Sequence, residues 1–356
     1  MGKLESETAA ALEARRKILS KAIVARHYVR QPEAWTSYRK RGREASQRDV
    51  EYHLDYLIES IRSGDPAIFS HYLDWLKTLF QGLQFPKDTL PVMLDCVRDV
   101  LREEMPAKME AVVKKHLEIA GLRLDEVPSS LPSHLDEASP LGRLARDYLN
   151  SLLAGDKPKA IRLIINAVEG GETIKNIYLG VFQPVQREVG RLWHLNKVSV
   201  AQEHFVSAAT QLIISQLYLR IFSTEKTGRR LVAACVSREL HEIGIRMVAD
   251  FFEMSGWDTY YLGANLPSSS VVGAVKEYQA DMLALSCTIP VHQGELGRMI
   301  ARLRSAKPGR ELKIIVGGYA LNTRRDAWKR TGADGYAGDA EEAVRLAQHL
   351  LEGGKA

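Results

Sequence analysis

Cysteine is scarce in this chain: three residues in 356, Cys96, Cys235 and Cys287, far apart and in no metal-binding spacing. That excludes a disulfide framework and a thiolate metal cluster. Cys235 and Cys287 lie in apolar runs of strand length, which suits buried thiols in a reducing cytoplasm. Long apolar runs are also missing. None reaches the ~18 residues of a membrane span, and Met1 to Glu7 has no signal-peptide core. The expectation is a cytoplasmic protein with no membrane attachment. Charge of one sign is lacking too: the net charge is +5, which permits nucleic-acid contact without arguing for it. What is present is ordinary globular material, 45% hydrophobic and 26% charged, with room for two or three domains.

Residues 1–124 read as helix after helix. Ala9 to Val29 is the first. Arg48 to Ile61 places Val50, His53, Leu54, Leu57, Ile58 and Ile61 at helical intervals and closes at Ser63-Gly64. Asp65-Pro66 reads as an N-cap with proline at N1, opening a helix to about Phe80. Another runs from Pro86 through Val92, Cys96, Val97, Val100 and Leu101. Met105-Pro106 restarts the chain into a helix ending at Ala120-Gly121. The basic patch Tyr38 to Arg43 reads as a solvated turn. No helix-turn-helix followed by a basic wing is found, so no nucleic-acid-binding module is expected.

Residues 125–139, rich in proline and serine around Pro128 to Ser133, mark a linker. Four helices follow within 140–228: Pro140 to Leu153, Asp156 to Gly170, Thr173 to Trp193, and Ser199 (an N-cap) to Phe222. Short loops between them predict a four-helix bundle. From 229 to 356 strands and helices alternate. Strands are expected at Leu231–Val236, Thr259–Leu262, Met282–Ser286, Leu312–Val316 and Gly335–Ala337, with helices near 243–255, 268–278, 292–306, 322–331 and 340–352. That order gives a Rossmann-like parallel sheet with right-handed crossovers. The fold class is therefore multidomain, α and α/β: an N-terminal all-helical domain, a four-helix bundle and a C-terminal parallel-sheet domain.

The candidate chemistry sits at the ends of three strands. Glu239-Leu240-His241-Glu242-Ile243-Gly244 joins the first strand to its helix, where open α/β sheets bind ligands. A loop imidazole flanked by carboxylates can have one ring nitrogen fixed by a carboxylate and the other left free for a metal. Gly244 lets the backbone turn tightly or approach a ligand. Ser286-Cys287-Thr288 and Gly317-Gly318 end two further strands. A lone loop histidine is more often just solvated, but three such ends on one sheet edge favour a shared ligand.

These residues carry a resemblance. Residues 231–350 resemble the cobalamin-binding domain of methionine synthases, corrinoid proteins and cobalamin-dependent photoreceptors, whose motif is Asp-x-His-x-x-Gly, then Ser-x-Leu or Ser-x-Thr, then Gly-Gly. The resemblance implies that His241 is the lower ligand of cobalt and that the cofactor's nucleotide tail passes Ser286, Thr288, Gly317 and Gly318. Close approach by that tail would give the glycines their reason. Glu239 departs from the usual Asp by one methylene. In the bundle, Trp193-His194 is followed by Glu203-His204, a Trp-x9-Glu-His spacing similar to the upper-face cap of CarH-type adenosylcobalamin photoreceptors. The resemblance implies that Trp193, Glu203 and His204 contact the adenosyl group, and that His194 binds cobalt after light has removed it. Either motif alone has a plain reading, Trp193 as core and Glu203-His204 as a solvated helix face.

A larger helical domain ahead of this module resembles the photocobilin arrangement, in which a bilin joins cobalamin. It implies biliverdin held non-covalently, since Cys96 reads as buried. Tyr28, Tyr38, Tyr52, Tyr56, Tyr72, Trp35 and Trp75 would supply apolar faces, and Arg26, Arg30, Arg39, Arg41 and Arg43 would hold propionates. His27, His53 and His71 would contact pyrrole nitrogens, or ligate haem in a globin-like domain. The plain alternative is an interaction domain with no ligand. The Trp-x9-Glu-His spacing favours a light sensor that binds adenosylcobalamin and works through conformation, homo-oligomer assembly or a light-dependent protein partner; the alternatives are a corrinoid methyl carrier and a cobalamin-sensing regulator that needs no light. No catalytic barrel accompanies the module, so the chain reads as a binding protein rather than an enzyme.

Overall fold

A computed structural model describes residues 2–32, 41–122, 131–221, 225–306, 311–322 and 326–353, without the side chains of Arg41 and Arg43. The chain falls into two compact units: residues 1–131 together with His194–Lys197, and residues 132–193 together with 198–356. Among the described residues no helix is long and apolar enough to cross a membrane.

The first unit is helical. Its helices are α1 (Lys3–Arg30), α2 (Arg41–Ser63), α3 (Pro66–Gly82), α4 (Thr89–Glu104) and α5 (Ala107–Gly121). Leu12, Leu19 and Ile23 on α1 are buried, as are Leu54, Leu57 and Ile61 on α2 and Leu73 and Leu76 on α3; α1 packs on α2, α4 and α5, and α3 on α2 and α5. Asp65 caps α3, accepting from the Ala67 amide at 3.2 Å, with Pro66 at N1 as expected. Two expectations are corrected. The first helix begins at Lys3 rather than Ala9. The second begins at Arg41, so Arg41-Gly42-Arg43 is helix rather than turn, while Trp35, Tyr38, Arg39 and Lys40 lie outside the described residues. Cys96 is fully buried as expected.

Several polar groups are paired inside this unit. His53 Nδ1 lies 2.6 Å from the Tyr72 hydroxyl, and the Tyr72 ring stacks on Tyr56 at 3.8 Å. Burial, helped by nearby His27, pushes His53 down to about 3, so its ring is neutral. Arg26 and Arg30 are engaged by Glu103 and Asp99 at 2.6 Å each.

The second unit begins with the bundle. Its helices are α6 (Pro140–Leu153), α7 (Lys157–Glu169), α8 (Ile174–Ile177), α9 (Gln183–His194) and α10 (Val200–Tyr218). Tyr178–Phe182 forms a π-helical stretch between α8 and α9, so the expected third helix is one rod with a bulge in it. Caps explain the starts. Asp156 accepts from Lys159 N at 2.9 Å and Thr173 from Asn176 N at 3.1 Å. Ser199 forms a capping box with Gln202. The fourth helix ends at Tyr218, and Phe222 lies outside the described residues.

The sheet follows: β1 (Arg230–Cys235), β2 (Asp258–Gly263), β3 (Met282–Ser286), β4 (Lys313–Gly317) and β5 (Gly335–Tyr336), in order β2-β1-β3-β4-β5 and parallel throughout. Helices α11 (Ile243–Glu253), α12 (Ser268–Glu277), α13 (Gln293–Ser305) and α15 (Ala340–Leu351) lie where expected. The helix expected near 322–331 is corrected. Tyr319–Asn322 makes one short turn, α14, and Ala327–Thr331 is a 3₁₀ turn. Strand alternation divides the core. Leu231, Ala233 and Cys235 of β1 share one cluster with the bundle residues Tyr178, Val181 and Phe182 and with Phe251 and Phe252 of α11. Val232, Ala234 and Val236 face α12 and α13 in a second cluster. Bundle and α/β half thus share a hydrophobic core.

Candidate functional site

Strand order reverses between β1 and β3, and in such sheets the loops beyond the strand ends at that point form a crevice. Glu239 lies there, fully buried. Its Oε1 accepts from the His241 amide at 3.0 Å and lies 2.6 Å from His241 Nδ1. Its Oε2 accepts from the amides of Thr288 and Ile289 at 2.8 Å each, and lies 3.3 Å from His292 Nδ1. Burial by itself would raise this carboxyl. Bonds from His241, His292 and the backbone N–H groups outweigh it and hold Glu239 well below the usual range. Glu239 is therefore an anion that holds Nδ1–H of His241. The lone pair of His241 is left on Nε2, which has no hydrogen-bond partner among the described residues.

The His241 side chain is 57% exposed. The bond to Glu239 raises its pKa against the opposing effect of burial, with the charges of Glu239 and then Glu203 adding to the rise. Among the described residues no group of three or more His, Cys, Asp and Glu side chains could hold a metal ion by itself. A single presented imidazole nitrogen suits one axial position of a metal whose remaining ligands belong to a macrocycle. The donor set therefore fits a corrinoid.

The glycines divide. Gly244 is helical at the start of α11, not a tight turn, and a Cβ added there would meet nothing within 4 Å. Gly318 has φ +105°, and a Cβ there would lie 2.3 Å from the Cys287 carbonyl oxygen. A Cβ on Gly317 would lie 2.8 Å from the Ala337 carbonyl oxygen. Packing of neighbouring strand ends by itself already requires both glycines. Ser286 is buried at the end of β3, and Thr288, half-buried, serves the site through its backbone amide.

The other expected residues lie on the bundle. Trp193 is half-buried against the shared core. Glu203 accepts from Ser207 Oγ at 2.9 Å and lies 2.5 Å from Nδ1 of the exposed His204. His194 groups instead with the first unit. It is buried, its ring stacks on Trp75 at 4.9 Å, and its Nε2 lies 2.6 Å from the Trp75 carbonyl oxygen. Burial lowers its pKa and keeps the ring neutral. Sequence reading missed His292, which carries no local signal. It also missed the partners of Glu242: Gln211 Nε2 donates to Oε1 at 3.0 Å and the Tyr261 hydroxyl to Oε2 at 2.9 Å.

A B12 binding domain family matches residues 229–347, and a second B12 binding domain family matches residues 144–218. Dimethylamine corrinoid protein 1 of Methanosarcina acetivorans is 30% identical over 169 residues, 46% of this chain and 77% of that protein. The chain belongs to the B12-binding proteins. Within this family it is also similar to the HTH-type transcriptional repressor CarH of Myxococcus xanthus, 27% identical over 254 residues, 67% of this chain and 83% of that protein. The solved structure of the Methanosarcina barkeri monomethylamine corrinoid protein aligns with a TM-score of 0.52 at 18% identity, over 58% of this chain and 98% of that one. That likeness concerns the fold: a helical cap joined to a Rossmann-like B12-binding domain. The two family matches together take in nearly all of α6–α10 and β1–α15.

Proposed function

We propose that this B12-binding protein is a cytoplasmic light sensor that holds adenosylcobalamin between its helical cap and its α/β domain, with His241 as the lower cobalt ligand. The observation that carries the reading is the Glu239–His241 pair, which leaves one imidazole Nε2 with its lone pair aimed away from a buried anion. When bound, the cofactor supplies a weak Co–C bond that light can break. Trp193 would give the adenosyl group a flat apolar partner, while Glu203 and His204 would accept and donate hydrogen bonds at its sugar. His194 would serve as the alternative upper ligand, for which its bond to the Trp75 carbonyl must first open. The likeness to a transcriptional repressor supports a regulatory role without catalysis. The output then runs through assembly or a protein partner.

A second reading is supported by the dimethylamine corrinoid protein: a methyl carrier serving a methyltransferase. Absorption spectra of purified protein separate the two. With adenosylcobalamin, a base-off, His-on spectrum in the dark that changes irreversibly in green light supports the sensor. Equal affinity for methyl and adenosyl forms with no light-dependent change in assembly supports the carrier.

The proposal extends to a bilin held by the first unit in the same sensor. Tyr56, Tyr72 and the neutral His53 are buried against one another, and would supply flat surface and a pyrrole partner only once those contacts open. Arg26 and Arg30 would have to leave Glu103 and Asp99 to hold propionates. Co-expression with a biliverdin source should yield a red-absorbing band that is lost on deleting residues 1–124. A colourless product, or a Soret band with added haem, removes this part of the reading.

A further inference from the structure

Helix α10 carries a polar residue at every fourth position: Glu203, Ser207, Gln211 and Ser215. Four residues overshoot one turn by about 40°, so such a row winds slowly while staying on one flank. Each member is bonded. Ser207 Oγ lies 2.9 Å from both Glu203 Oε1 and Gln186 Oε1 and donates its one proton between them, Gln211 Nε2 donates to Glu242 Oε1, and Arg246 Nη2 donates to Ser215 Oγ. Two of these bonds reach the segment that carries His241, since Glu242 follows it directly and Arg246 stands one turn into α11.

Glu242 is held from two sides. Gln211 takes Oε1 at 3.0 Å from the bundle, and Tyr261 takes Oε2 at 2.9 Å from β2. Room for this carboxylate is built into the sheet. The β1–β2 register shifts between Ala233 and Ala234, and Gly263, at φ +83°, closes β2 where a Cβ would come 3.2 Å from Glu242 Oε2. Burial raises the Tyr261 phenol, so it remains a proton donor. A carboxylate fixed by donors from two separate elements is a clamp, because charge-assisted bonds are about twice as strong as neutral ones.

We propose that Gln211 and Tyr261 are positioning residues which act through Glu242 to keep α10, and with it Glu203, in register with the His241 loop. The inference rests on the reading above of Glu203 and His241 as opposite faces of one cobalamin site. A change beside Glu203 is then passed down α10 to the loop that presents His241, instead of moving the bundle alone.

Hydrogen exchange on the full-length protein tests this, with Gln211→Leu and Tyr261→Phe as variants and thermal melting as the control for folding. Without cofactor, each variant should raise exchange of residues 239–246 about tenfold, the loss of one charge-assisted bond to a local opening, while β1 and β3 stay protected. Gln211→Glu, which sets a like charge against Glu242, should raise it further, and Glu242→Gln, which keeps one acceptor for Gln211 and turns the other into an amide donor that the Tyr261 hydroxyl can accept, less. With adenosylcobalamin, wild type should gain protection at residues 200–211 and 239–246 together, and Gln211→Leu at 239–246 only. Unchanged exchange at 239–246 in both cofactor-free variants overturns the clamp, and so does joint protection in Gln211→Leu. If adenosylcobalamin protects neither segment of wild type, the cofactor reading fails, and the cofactor-free comparison still decides the clamp.

Discussion

Tyr178, in the π-helical stretch of the bundle, donates its hydroxyl proton to Asp250 of α11 across 2.7 Å inside the shared core. The bond ties the bundle to the α/β half. Burial raises Asp250 to about 6, with Glu253 adding while Tyr178 and Arg246 oppose. The ordinary value is 3.8. A carboxyl raised on folding contributes its full stability below the unfolded value and loses it as pH climbs through the folded one.

Stability should therefore fall between about pH 4 and pH 6 by roughly 3 kcal/mol from this group and level off above. Asp250→Asn removes the titration. Its stability relative to wild type should grow over that interval and stay constant beyond it. Urea unfolding at pH 4, 5, 6 and 7 measures the difference, and a pH-independent gap excludes the assignment.

Glu239 presents the opposite case, an anion stabilised in the interior. Glu239→Gln places an amide donor among N–H groups that already donate, and should cost about 3 kcal/mol of unfolding free energy. The loss should appear in cofactor-free protein. A variant as stable as wild type would mean that the carboxylate is not ionised.

His241→Ala should leave stability within about 1 kcal/mol, because the ring is more than half exposed. Cobalamin affinity should drop by roughly 100-fold or more, and the His-on absorption spectrum should vanish. Retention of that spectrum in the variant rules His241 out as the lower ligand.

Two alanine substitutions separate glycine roles. Gly318→Ala should destabilise the fold by about 4 kcal/mol, since the positive φ and the Cys287 carbonyl both oppose a Cβ. Gly244→Ala should stabilise the cofactor-free protein by up to about 1 kcal/mol as a helix substitution. If a corrinoid approaches α11 at this open position, it should also weaken cobalamin binding. Denaturation and a cobalamin titration of both variants give the answer, and unchanged affinity in Gly244→Ala places the ligand elsewhere.

Much of the architecture was readable along the chain because it depends on neighbours in sequence. Asp65, Asp156, Thr173 and Ser199 cap their helices by reaching amides two or three residues away. The apolar run Leu231–Val236 marked β1 as a strand, and the His241 block stood out because Glu239 lies only two residues before it. The region near 322–331 resisted. Among the described residues after β4, Tyr319–Asn322 and Ala327–Thr331 make only short turns.

What tertiary structure decided are the pairings that distance in sequence conceals. His292 meets Glu239 across 53 residues, and Gln211 meets Glu242 across 31. No periodicity marks either, since each depends on where a crossover connection delivers its loop. The glycines at 317 and 318 could be recognised by type, but whether a ligand or a neighbouring backbone required them depended on the atoms around an absent Cβ. The placement of His194 has the same origin. Its neighbour Trp193 packs in the bundle while its own ring is buried against Trp75, because burial is settled by the three-dimensional surroundings of each side chain. Sequence by itself determined the helices, the strands and the presented imidazole, because local hydrogen bonding and hydrophobic period dictate them. Packing alone decided which charges are held, which nitrogen is free and which helix is tied to the loop that carries it.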